Sequence, residues 1–171
     1  MNIDLLRHIG LFCLLVLLHT LVLMHVHLLG VATPMLYIYV VSTLRRGYPR
    51  WATLLWGFAM GVTVDAAQNT PGMTAATLTL TAALQPVLVE MFTPRDADAN
   101  MPTTAHSMGW GSWTAYMLSL LFVHCLTYFT VEFFSFFDIW RWAGCVVGST
   151  LLSFLIAAAV ELAHAGTHHQ R

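Results

Sequence analysis

The sequence contains no lysine: its seven basic residues are all arginine, and only 9% of its 171 residues are charged. A soluble domain carries about 25% charge. The formal net charge is −1, so no basic surface is offered to nucleic acid. Cysteine is scarce as well. Cys13, Cys125 and Cys145 fall inside apolar segments without paired spacing, which excludes a disulfide framework and a cysteine zinc site. No Ser/His/Asp arrangement, phosphate loop or metal-ligand spacing is present, so no catalytic set and no cofactor or metal site emerges from the residues. No internal repeat and no second domain stand out.

What is abundant is apolar side chain, 58% of the total. The chain reads as all-α, a single polytopic transmembrane domain over residues 1–171 whose solvent is lipid. Residues 5–29 are long enough to cross a hydrocarbon core of about 30 Å. They are not followed by the small-residue cleavage site of a signal peptide. Leu15 is read as a lipid-facing position of this helix. Residues 31–44, opened by Pro34, are short for a span, so a tilted or partly unwound crossing is expected. Further spans are read at 51–66, 73–92, 112–137 and 142–162, with a polar, proline-containing loop at 93–111. Pro86 should kink the fourth span. Thr74, Thr77 and Thr81 recur along one of its faces as an interhelical hydrogen-bonding stripe. Glu90 and Glu132 sit near helix ends. Gly144 and Gly148 give the last span a second pair of glycines four residues apart.

The arginines order these spans. With six spans and both termini inside, Arg7, Arg45, Arg46, Arg50, Arg95 and Arg171 face the cytoplasm and only Arg141 faces out, as the positive-inside rule requires. A five-span arrangement splits them across the membrane.

His8, His19, His25 and His27 in the first span, with His124 later, raise a haem or quinone redox reading. No carboxylate accompanies them to orient the rings, and His25 and His27 fall near the helix end, so packed or interfacial histidine is preferred. A visible absorption spectrum separates the two.

The most informative stretch is Trp56 to Met73, WGFAMGVTVDAAQNTPGM. Gly57 and Gly61 share one helix face, where another backbone can approach closely. Asp65 lies one turn further on the same face. If Trp51 marks the cytoplasmic interface, the 14 residues to Asp65 place the carboxylate about 21 Å along the helix, in the outer leaflet. Two readings stand: a site acid inside an apolar helix, or an acid near the surface that is wetted or caps a neighbouring helix. Asn69-Thr70-Pro71-Gly72 then turns the chain.

The pattern G-F-x-x-G-x-x-x-D-x-x-x-N-T-P-G-M from Gly57 to Met73 resembles the signature of the rod shape-determining protein MreD family, in the form known from Bacteroidetes. Chain length, Thr33-Pro34 before the second span and Pro94-Arg95-Asp96 after the fourth agree with it. The specific match covers only Gly57 to Met73. One departure is Gln85 before Pro86, where relatives are expected to carry arginine, so an Asp–Arg pair from that position is not available.

The resemblance implies a non-enzymatic inner-membrane component of the cell-elongation machinery supporting peptidoglycan synthesis. It implies a fold similar to the substrate-binding subunits of energy-coupling-factor transporters. It further implies association with the periplasmic scaffold MreC, and through it with the actin-like MreB and the peptidoglycan polymerase and transpeptidase. Carried onto this chain, Gly57, Gly61, Asp65, Asn69, Pro71 and Gly72 form the core of the functional surface, either shaping it or contacting the partner. A vitamin-like small-molecule-binding transport subunit is the alternative, and it requires a pocket with convergent polar groups.

Overall fold

The structure, a computed structural model, describes residues 3–21, 33–94, 97–98, 100–133 and 138–168. It is helical, and no strand occurs among the described residues. The elements are α1 (Ile3–Leu21), a 3-10 turn (Leu36–Ile38), α2 (Tyr39–Ser42), α3 (Arg50–Gln68), α4 (Met73–Phe92), α5 (Ala105–Met108), α6 (Trp110–Glu132) and α7 (Ile139–His168). Three of these helices, α4, α6 and α7, are long and apolar enough to cross a membrane. The chain is a membrane protein by that criterion and by its surface. Leu55, Phe58 and Val62 on α3, Leu80, Leu84 and Val87 on α4, and Val147, Leu151 and Leu155 on α7 are all exposed. Exposed apolar stripes at helical spacing are what a lipid solvent requires. Trp51, Trp110 and Trp140 are exposed at helix ends, the position of interfacial aromatics.

The helices pack in sequence: α3 against α4, α4 against α6, α6 against α7, with α1 on α3. Through their middle runs the segment read as the second span, and its described residues, 33–44, are partly unwound as expected and form no continuous spanning helix. The described part is irregular from Thr33 to Met35, followed by the 3-10 turn and one turn of α2. Every residue from Pro34 to Ser42 is buried. Irregular backbone at membrane depth must find its hydrogen bonds inside the protein. It does so on hydroxyls one helical turn apart on α7: Thr33 N–H donates to Ser149 Oγ at 3.0 Å and Met35 N–H to Ser153 Oγ at 2.9 Å. At the other end of the segment the Ser42 carbonyl accepts from Thr103 Oγ1 and the Tyr116 hydroxyl, and the Leu44 carbonyl from Gln85 Nε2.

α4 spans Met73–Phe92 as expected, with Pro86 inside it. Smaller revisions follow. The loop 93–111 contains α5, closed by a Thr104–Ser107 capping box, and α6 already begins at Trp110. Leu15 is buried in the core; Leu14 and Leu17 are the lipid-facing positions beside it. His25, His27, Arg95, Asp96 and Arg171 lie outside the described residues.

Candidate functional site

The hairpin of α3 and α4 is built on the two glycines. At Gly57 an added Cβ would lie 2.7 Å from Ala82 Cβ and 3.1 Å from the Leu78 carbonyl oxygen. At Gly61 it would run into the α4 backbone itself: Ala75 Cα, Ala75 N at 2.7 Å and the Thr74 carbonyl oxygen at 2.9 Å. The helices therefore touch main chain to main chain where Gly61 passes α4, a separation only glycine permits.

Asp65, one turn beyond Gly61, is 5% exposed and fixes that contact. Its Oδ1 accepts from Thr74 N–H at 2.8 Å and from the Thr70 hydroxyl at 3.1 Å; Oδ2 accepts from Ala75 N–H at 2.9 Å. α4 begins at Met73 after Gly72, so Thr74 and Ala75 carry the N2 and N3 amides that an N-cap side chain normally satisfies. Gly72 has no side chain to offer, and Asp65 supplies the cap from the preceding helix. Its negative charge also faces the positive end of the α4 dipole. Of the two readings of this acid, the geometry is that of a cap on a neighbouring helix.

The turn between the helices needs two left-handed residues, Asn69 at φ 57° and Gly72 at φ 85°. Asparagine and glycine are the residues that accept this conformation at least cost. The Asp65 carbonyl receives the Asn69 and Thr70 amides and closes the end of α3. Asn69, Pro71 and Gly72 are exposed. The six motif residues thus divide in two: Gly57, Gly61 and Asp65 are buried against α4, while Asn69, Pro71 and Gly72 form the surface those three hold in shape.

Of the threonine stripe, Thr74, Thr77 and Thr81 are all buried, but only Thr81 bonds across helices. The Thr77 hydroxyl returns to carbonyls of its own helix, at Met73 and Thr74. The Thr81 hydroxyl donates to the Thr77 carbonyl at 2.8 Å, so its oxygen accepts from His124 Nδ1–H at 3.0 Å. His124 Nε2 then accepts from the Tyr37 hydroxyl at 3.1 Å. Both ring nitrogens of His124 are occupied by protein groups. His19 meets Gln68 Nε2 at 2.8 Å and packs edge-on against Tyr37 at 4.9 Å. Among the described residues, no three His, Cys, Asp or Glu side chains converge as a metal site. Glu90 and Glu132 are exposed.

Two polar residues gain a role that sequence reasoning did not give them. Glu161 on α7 is 7% exposed; it accepts from the Tyr39 hydroxyl at 3.0 Å and from Ala105 N–H at 2.7 Å, joining three distant parts of the chain. Gln85 is buried against the Leu44 carbonyl at 3.2 Å. It lies ten residues beyond Ala75, about 15 Å further along α4 from the Asp65 cap. Asp65 reaches its partners without any cation from this position.

With this geometry in place, comparison with known proteins adds no relative: no family model, no curated protein and no solved structure matches the chain.

Proposed function

We propose that this chain is a non-enzymatic, MreD-like component of a bacterial cell-elongation machinery, embedded in the inner membrane. In this reading, the exposed turn Asn69–Gly72 meets an MreC-like scaffold. The scaffold in turn links it to an actin-like filament and to the peptidoglycan polymerase and transpeptidase. The observation that carries the reading is the segment Gly57 to Met73. Five of its fixed positions have a physical task in one hairpin: Gly57 and Gly61 for close approach, Asp65 for the cap, Asn69 and Gly72 for the left-handed turn. A pattern used in this way for shape, ending in an exposed turn, suits a surface that must be presented rigidly to a partner.

Its orientation in this reading is six crossings with both termini cytoplasmic. Arg46 supports placing the loops at 45–50 and 93–104 on one side: its guanidinium donates to the Pro94 and Ala97 carbonyls, at 3.2 and 2.8 Å, and its amide to Met101. Reporter fusions after Thr104 and at the C-terminus should both read cytoplasmic. A periplasmic signal at either site refutes the orientation. For the function itself, depletion of the chain should turn rod-shaped cells round, and the tagged protein should retain the scaffold when purified from membranes. Rods that persist after complete depletion refute the elongation role.

A further inference from the structure

Residues 101–108, which carry α5, satisfy much of their hydrogen bonding among themselves. Thr104 N–H donates to Ser107 Oγ at 3.3 Å, Ser107 N–H to Thr104 Oγ1 at 3.4 Å and Met108 N–H to the Thr104 carbonyl at 3.0 Å. Ser107 Oγ also donates to the Pro102 carbonyl. A segment bonded in this way keeps its shape when it is moved as a unit. It ends at Gly109, where φ is 82° and an added Cβ would meet nothing within 4 Å. A left-handed glycine in open space is a backbone position that can absorb a rotation.

Three side chains or amides tie this segment to the bundle. Thr103 Oγ1 lies 2.6 Å from the Ser42 carbonyl and 3.1 Å from the Leu44 carbonyl, Ala105 N–H donates to Glu161 Oε1 at 2.7 Å, and the Met101 carbonyl accepts from Arg46 N–H at 3.1 Å. Each acceptor on the bundle side has a second donor from outside the segment. The Ser42 carbonyl accepts from the Tyr116 hydroxyl at 3.0 Å, the Leu44 carbonyl from Gln85 Nε2 at 3.2 Å, and Glu161 Oε2 from the Tyr39 hydroxyl at 3.0 Å. The irregular segment therefore stays tied to α4, α6 and α7 when residues 101–108 are lifted away, and Ser149 and Ser153 still hold its other end. The vacated lone pairs and the Arg46 amide then meet water. The buried apolar side chains of the segment are Ala105 and Met108. Two bodies that each keep their own hydrogen bonds can part at lower cost than either unfolds.

We propose that residues 101–108 form a lid, hinged at Gly109 and latched by Thr103 and Glu161, at the end of the bundle that bears the arginine loop. The lid opens as one unit and bares the Ser42 and Leu44 carbonyls while the helices and the irregular segment stay folded. It does not depend on the elongation reading; it stands whether or not the chain meets a scaffold.

The test is native-state hydrogen exchange on the purified full-length protein in lipid nanodiscs. It follows the amides of Ala105, Ser107 and Met108 in the lid and that of Met35 in the irregular segment. The three lid amides should share one protection factor, at least about tenfold below that of Met35. Thr103→Val keeps the shape and removes the hydroxyl latch. It should lower the protection of all three lid amides together, by about five- to tenfold, and leave Met35 and Tm unchanged. Gly109→Ala has room for its methyl group but strains φ at the hinge of the closed lid, so it should act in the same direction. Unlike protection among the three lid amides, or protection of Met35 no higher than theirs, overturns the lid. An equal loss at Met35 in either variant, or a variant that leaves the lid amides unchanged, overturns it as well.

Discussion

Gly61→Leu is expected to prevent the protein from accumulating as a folded bundle. Even the first carbon of a side chain at this position would lie 2.7 Å from Ala75 N and 2.9 Å from the Thr74 carbonyl oxygen. Those atoms belong to the α4 backbone, which no rotamer change can move. Overpacking a core typically costs about 1–3 kcal/mol where side chains can yield. Here α4 itself must be displaced, so the cost should reach or exceed the upper end of that range. Displacement also breaks the Asp65 cap, whose acceptors sit one turn away. Membrane abundance and thermal unfolding measure the effect, with Leu17→Ala on the exposed face of α1 as the control. Gly57→Ala should be milder, because its nearest neighbour is the Ala82 methyl group. Normal abundance and Tm for Gly61→Leu would disprove the main-chain contact between the helices.

Asp65→Ala should be the second most damaging change in the hairpin. A carboxylate in an apolar helix costs about 2.5–3.5 kcal/mol on insertion scales when central. Asp65 offsets this through three hydrogen bonds, two of them to buried amides at the start of α4. Alanine removes the insertion cost but leaves the Thr74 and Ala75 amides unpaired, at about 1–3 kcal/mol each. The expected net result is a loss of about 2–4 kcal/mol in the folded bundle, since the insertion cost applies to the unpaired helix and not to the capped one. Asp65→Asn keeps one acceptor oxygen and turns an amide group toward the other N–H, so it should lose roughly half as much. Thermal unfolding should rank wild type above Asp65→Asn above Asp65→Ala. Equal stability of all three would contradict the cap.

The hairpin was legible in the sequence because its determinants are local. Gly57, Gly61 and Asp65 follow one another at helical spacing, and Asn69 to Gly72 is a turn on composition alone. What was not legible depends on distant residues. That the segment from Thr33 to Ser42 is partly unwound was legible from Pro34 and its short length, but what satisfies its backbone was not. Its backbone is satisfied by Ser149 and Ser153, 116 and 118 positions away. Glu161 was passed over for the same reason: Tyr39 and Ala105 lie 122 and 56 positions from it. Leu15 was assigned to lipid because in an almost uniformly apolar helix no polar stripe marks the outer face. The threonines of α4 lie on one face as read, but threonine in a helix can return its hydroxyl to the carbonyl three or four residues back, and Thr77 does so.

The turn raises a different question from the buried residues, because shape alone already explains asparagine at position 69. Asn69→Gly separates shape from contact. Glycine accepts a φ of 57° at no steric cost, so the hairpin should fold as before. The exposed amide is the only thing lost. The decisive measurement is the amount of MreC-like scaffold that co-purifies from membranes with wild-type protein and with Asn69→Gly at matched abundance. If the turn is the contact surface, recovery of the scaffold should fall by at least about tenfold while Tm stays unchanged. Undiminished recovery with Asn69→Gly would contradict the account, leaving Asn69 as a helix terminator and the partner surface elsewhere on the bundle.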